Sequence, residues 1–185
     1  MHQKTDLRVI KTRKNIRESF IALLQHKHFN DITVQNILDT ALINRSTFYK
    51  YYKDKYDLAE QLAAEYMDLS KSYLDERFHE ITDDNLTYTV KKIYTHLLEQ
   101  KSFILALWKI ETDTVNVRYD FEMLLKERCK NHLLSAKSEE SMADYYSSLY
   151  ASIILTTIQW LFKHEEVPVD GIIHNLRGIF MHFLP

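Results

Sequence analysis

Apolar side chains recur at three- and four-residue spacing along most of the chain, the period of helices packed through one face. Val9, Ile16, Phe20, Leu23 and Leu24 make the first stripe and predict a helix from about Leu7 to Lys27. Phe29 and Ile32 follow as a short apolar connector. Val34, Ile37, Leu38 and Ala41 mark a short second helix, with Thr33 placed to cap it through its hydroxyl. Asn44 is the next N-cap, ahead of a third helix from Arg45 to Tyr51 or Tyr52. Asp54 caps a fourth, which starts near Lys55 and extends to the Glu80 region.

Longer patterns fill the remainder. Asp83 or Asp84 opens a helix carrying Leu86, Val90, Ile93, Tyr94, Leu97 and Leu98, and Ser102 opens an apolar segment from Phe103 to Ile110. Another helix is predicted from Val117 to about Ala136, with Phe121, Leu124, Leu125, Leu133 and Leu134. The next runs from Ser138 or Glu139 to Lys163, and its centre is apolar on more than one face. The last, Val169 to Phe183, follows Pro168, a residue suited to a helix start. No internal repeat or low-complexity linker interrupts the series.

Composition narrows the fold class. The first 170 residues contain no glycine; Gly171 and Gly178 are the only two. A glycine-rich phosphate loop or a dinucleotide fingerprint needs backbone that only glycine supplies, so both are excluded. Hairpin-rich β structure loses its tight turns for the same reason. With 45% hydrophobic residues the chain can bury a core, and an all-α fold is the expectation. Cys129 is the only cysteine, which leaves no intramolecular disulfide or cysteine zinc site. The polar N-terminus has no apolar signal core, and no apolar run reaches the ~18 residues of a membrane span. A cytoplasmic protein with no membrane partner is expected.

Charge is divided unevenly. Residues 1–57 hold 11 Lys and Arg against 6 Asp and Glu, while residues 58–185 hold 13 against 20. A basic first third on an acidic remainder suggests that only the first part approaches a polyanion.

The third helix offers the chemistry for such an approach. A helix that reads a DNA groove is short and braced, with one face buried and the other carrying donors. Phe48 and Tyr52, four apart, are placed to pack against Ile37, Leu38, Phe20 and Leu24. That packing turns Arg45, Ser46, Thr47, Tyr49, Lys50 and Tyr51 outward. Arg45 and Lys50 suit guanine edges or phosphates, and Ser46 and Thr47 suit a phosphate or a thymine methyl. The Tyr49 and Tyr51 hydroxyls can reach the backbone, and Lys53 and Lys55 sit at the entry to the fourth helix. The plainer alternative is an aromatic surface, Tyr49 to Tyr56, with solvated lysines.

Ile32-Thr33-Val34 with Ile37, Ala41, the run Asn44 to Tyr49, Tyr52, Lys53, Lys55 and Leu58 resembles the DNA-binding region of TetR/AcrR-type regulators. The resemblance covers about residues 8–58. It implies an N-terminal three-helix helix-turn-helix DNA-binding domain, assigned to 1–56, joined to a helical ligand-binding and dimerisation domain, 57–185. By resemblance Thr47, Tyr49, Tyr51 and Lys55 fall where members contact phosphates, and Arg45, Ser46 and Lys50 where members face bases. Thr33, at the start of the second helix, completes the expected DNA-binding set. One departure stands out: the family usually has glycine in the turn where this chain has Leu42.

The second domain is less specific. The stretch from Tyr145 to Phe162 resembles the penultimate helix in one branch of the family, and Ala151, Ser152, Thr156 and Thr157 permit close helix approach. With Ile172, Ile173, Leu176, Ile179, Phe180 and Phe183 it predicts a homodimer through the last two helices. Tyr66, Tyr94, Phe103, Leu107, Trp108, Phe121 and Tyr150 are candidate lining for a small-molecule effector, though aromatic stripes also serve as plain core. The histidines show no metal-ligand spacing, so no metal or cofactor is expected. Cys129 and His132 share a helix face, but no strained elbow or oxyanion loop accompanies them, so no enzyme is expected. The expected function is a DNA-binding transcriptional repressor, dimeric and effector-controlled. The alternative is a co-regulator of the same fold acting through a protein partner.

Overall fold

The computed structural model describes residues 7–79, 86–164, 170–172 and 174–176. Among these the chain is all-α, with eight α-helices, one 3-10 turn and no strand. An isolated antiparallel bridge joins Glu111 and Asn116. The helices are α1 (Leu7–His26), α2 (Val34–Ala41), α3 (Arg45–Tyr49), α4 (Lys55–His79), α5 (Leu86–Glu99), α6 (Lys101–Leu107), α7 (Val117–Ser135) and α8 (Glu140–Lys163). The 3-10 turn, Phe29–Asp31, lies between α1 and α2. Residues 170–172 and 174–176 are also helical. The expected starts at Asp83 or Asp84 lie outside the described residues, as do Ile173, Ile179, Phe180 and Phe183 of the final helix. No described helix is long and apolar enough to cross a membrane.

Two compact units divide the chain. The first is Met1–Tyr66 with Ser102–Val117, and the second is Met67–Lys101 with Arg118–Pro185. This division follows packing, whereas the expected boundary at residue 56 follows a change of task. The first unit buries Ile16, Phe20 and Leu24 of α1, Ile37, Leu38 and Ala41 of α2, Phe48 of α3, and Leu58 and Leu62 of α4. Ile104, Leu107 and Ile110 join the same core from a distant part of the chain. Two side chains tie off helix ends there. Asn15 donates its amide to the Ala41 carbonyl at 2.6 Å, and Lys109 donates to Leu24 and Gln25 carbonyls at 3.1 and 3.0 Å. Both occupy carbonyls that a helix terminus leaves without intrahelical partners.

The second unit is built on α7 and α8. Phe121, Leu124, Leu125 and Leu133 are buried on one, and Ala143, Ser147, Tyr150, Ala151, Leu155 and Ile158 on the other. Tyr94, Leu161 and Leu176 form a cluster of buried residues, with Leu97, Leu98, Ile153 and Ile172 packed against it. Ion pairs link the elements at the surface: Arg128 with Asp75 at 3.1 Å and Lys130 with Asp144 at 3.0 Å. Exposed pairs of this kind contribute little stability, and the buried apolar area carries the unit.

Candidate nucleic-acid interface

The start of α2 is set by its cap. Thr33 Oγ1 accepts the Asn36 backbone N–H at 3.1 Å, and the Asn36 carboxamide oxygen accepts the Thr33 N–H at 3.1 Å. This reciprocal arrangement satisfies two backbone donors at the helix start. Thr33 itself is exposed. At the other end Leu42 adopts φ 52 and ψ 46, and the Ile43 N–H reaches back to the Leu38 carbonyl at 3.2 Å. The turn is therefore left-handed, as a glycine would make it, with a leucine that is 90% exposed. For a side chain with a Cβ this conformation costs roughly 1 kcal/mol or more.

Asn44 opens α3. Its carboxamide oxygen accepts the Thr47 backbone N–H at 2.8 Å, the Thr47 hydroxyl at 2.7 Å and the Ser46 hydroxyl at 2.9 Å. The Ser46 and Thr47 hydroxyls thus both donate to the cap. Helix α3 ends at Tyr49, earlier than the expected Tyr51 or Tyr52. The backbone N–H groups of Tyr51 and Tyr52 both converge on the Phe48 carbonyl, at 2.9 and 3.1 Å, which tightens the last turn. Phe48 and Tyr52 still land inside, 0% and 3% exposed, with ring centroids 5.6 Å apart.

The outer face follows from that burial. Arg45, Ser46, Tyr49 and Lys50 are exposed, and Thr47 and Tyr51 are half-buried. Tyr49 stands edge-on to Phe48 at 5.5 Å, and the Arg45 guanidinium lies 5.7 Å from the Tyr49 ring centroid. Neither the Arg45 nor the Lys50 cation makes an ion pair among the described residues. Two donors on flexible stems and a phenol packed edge-on to a buried ring share this short exposed face.

Lys55 departs from the expected pattern. It is half-buried, and its ammonium donates to the carbonyls of Phe29, Asn30 and Ile32 at 2.9, 3.1 and 2.8 Å. The same nitrogen lies 4.7 Å from the Phe29 ring centroid and 5.3 Å from that of Tyr56. Burial draws it below the usual lysine pKa, and Asp31 opposes the shift. Close by, Asp54 Oδ1 accepts the Tyr56 and Asp57 N–H groups at 2.8 and 2.9 Å and so caps α4. The Lys53 backbone N–H, at 2.7 Å, and then the Gln61 amide hold the Asp57 carboxyl below the usual carboxylate range.

The seven candidate effector residues separate between the units. Tyr66, Phe103, Leu107 and Trp108 belong to the first, and Tyr94, Phe121 and Tyr150 to the second. Tyr94 is 4% exposed and its hydroxyl has no hydrogen-bond partner among the described residues. Burial first, and then neighbouring Tyr150, push its phenol above the ordinary tyrosine value. Sequence reading overlooked Asn15 and Lys109, because their carbonyl partners lie 26 and about 85 positions away.

No family model and no curated protein sequence matches this chain. Among solved structures it is similar to the dihydroxyacetone kinase operon activator DhaS, at a TM-score of 0.51 and 19% identity. The alignment covers 94% of this chain and 96% of that one. Likeness at this level of identity shows a shared helical fold over nearly the full length.

Proposed function

We propose that the chain is a transcriptional regulator of the TetR/AcrR type that binds double-stranded operator DNA as a homodimer. One observation carries this reading: α3 buries Phe48 and Tyr52 while Arg45, Ser46, Tyr49 and Lys50 stay exposed on its other side. Arg45, Ser46 and Lys50 are assigned to base edges, and Thr33, Thr47, Tyr49 and Tyr51 to phosphates. Ser46 and Thr47 serve by releasing the Asn44 oxygen and turning their hydroxyl hydrogens to the duplex. Full-length similarity in fold to a protein named an operon activator supports regulation in general. Repression is the expected sign here, by exclusion of polymerase from an occupied promoter.

Exposed residues of α8 support the dimer. Met142, Tyr145, Ser152, Thr156 and Trp160 recur at helical spacing and are all exposed, with Tyr145 at 56% and Trp160 at 45%. Pairing two copies through this face and the following helix presents two α3 helices to half-sites about 34–36 Å apart. The same face is what a co-regulator would offer to a protein partner, and the mass of the assembly in solution separates the two readings. Effector control is drawn from the Tyr94 hydroxyl beside Tyr150, a buried donor without a partner among the described residues and suited to a ligand oxygen. A coupling of about 1–3 kcal/mol between effector and DNA would suffice for a switch. We assign the chain no enzymatic activity and place it in the cytoplasm, where its DNA is.

Selection of genomic fragments with the purified protein tests the reading. The expected result is enrichment of one or a few duplexes with two-fold symmetry, and a reporter driven by them gives the sign of regulation. Retention of no fragment above background contradicts the proposal.

A further inference from the structure

Within the proposed DNA-binding role, we infer that Lys55 is a positioning residue, clasping the α1–α2 connector to the start of α4, and that it does not contact phosphate. A lysine ammonium has three donors and no acceptor. All three are committed, at 2.8 to 3.1 Å, to carbonyls that end the 3-10 turn. The Phe29 and Tyr56 rings flank the nitrogen and restrict the directions from which another acceptor can approach. A phosphate oxygen therefore has to displace a carbonyl, which leaves a partly buried backbone acceptor unpaired.

The clasp has a defined target. Ile32, whose carbonyl is the nearest of the three, directly precedes Thr33, the cap of α2. Lys55 directly follows Asp54, the cap of α4. One ammonium thus ties the segment entering α2 to the segment leaving α3, and these two segments flank the proposed reading surface. Asp31 only partly opposes the burial that draws this ammonium below the usual lysine pKa. Lys50, five positions earlier, is the opposite case: it is exposed and holds no such set of acceptors among the described residues.

Salt dependence separates the roles. Each phosphate that the protein no longer neutralises makes the slope of log affinity against log salt shallower by roughly 0.9. The experiment compares wild type, Lys55→Met, Lys55→Arg and Lys50→Ala on the selected duplex. Amide hydrogen exchange is followed at residues 32–36. The expected result for Lys55→Met is roughly tenfold weaker binding, the size of one charge-assisted hydrogen bond, with the wild-type slope and faster exchange. Lys55→Arg restores the charge but not the three-fold convergence on carbonyls, so it does not restore affinity. Lys50→Ala, which removes a cation assigned to a base edge, weakens binding and relaxes base preference with exchange unchanged.

A shallower slope for Lys55→Met with unchanged exchange, or full rescue by Lys55→Arg, overturns the inference and leaves the DNA-binding reading intact. Wild-type protein that retains no duplex overturns that reading and the positioning role with it. If Lys55→Met does not fold, the 15Nζ resonance of Lys55 in wild type decides. A signal with slowly exchanging protons, unmoved by duplex, supports the clasp, and a signal that shifts on duplex addition overturns it.

Discussion

The α2–α3 segment and α8 use their polar atoms in different ways. At the starts of α2 and α3 polar side chains cap the helix, Thr33 with Asn36 and Asn44 with both Ser46 and Thr47. Within α2 only Thr40 bonds back to its own helix, at the Asn36 carbonyl. Along α8 the hydroxyls of Ser147, Ser148, Ser152 and Thr157 bond back to carbonyls of their own helix. A short element has to be started, stopped and braced by individual residues, since few turns of backbone bonding support it. A 24-residue helix is held by summed apolar area, which many sequences supply. The first region therefore carries its proposed task in individual residues, and the second shows an exposed face whose occupant is proposed from its pattern.

Substitutions at both regions can break this contrast. The largest effect is expected from Phe48→Ala, which empties the fully buried brace of α3 and costs about 3–5 kcal/mol. The urea midpoint of the first unit measures it, and a change confined to DNA binding would show that the ring braces nothing. Leu42→Gly should raise the thermal midpoint, gaining about 1 kcal/mol by removing a Cβ from a left-handed turn. An unchanged or lower midpoint would mean that the leucine is stabilised there by something besides the turn.

Asp57 gives a pH dependence of known sign. Its folded pKa is depressed, so its contribution is complete above the ordinary aspartate value and is lost as pH falls below about 4, through the folded value. Asp57→Asn should flatten the acid limb of a stability–pH curve, and an identical limb in the variant contradicts the assignment. The smallest effect on stability is expected at α8. Trp160→Glu should change folding by no more than about 0.5 kcal/mol while shifting sedimentation from dimer to monomer. A variant that stays dimeric removes this face from the proposed interface.

Local determinants were legible in the sequence and distant ones were not. Thr33, Asn44 and Asp54 sit at helix starts because their oxygens meet N–H groups two or three residues ahead, a relation written into adjacent positions. Phe48 and Tyr52 are buried because their spacing matches one side of a helical turn. The carbonyl partners of Lys55 were hidden, because they lie 23 to 26 positions back and the residue stands at a helix start where a cation suggests solvent or phosphate. The packing of 102–117 with residues up to Tyr66 was hidden likewise. Its apolar pattern announces burial and gives no address. The early end of α3 reflects convergence of two N–H groups on one carbonyl, which no residue type signals.

The affinity of the Arg45→Ala/Lys50→Ala double variant for the selected duplex, at matched thermal midpoint, tests the assignment of the α3 outer face most directly. The expected result is a decrease of about 1–3 kcal/mol in binding for each side chain together with relaxed discrimination at the bases they face. Binding equal to wild type by a folded double variant would contradict that assignment.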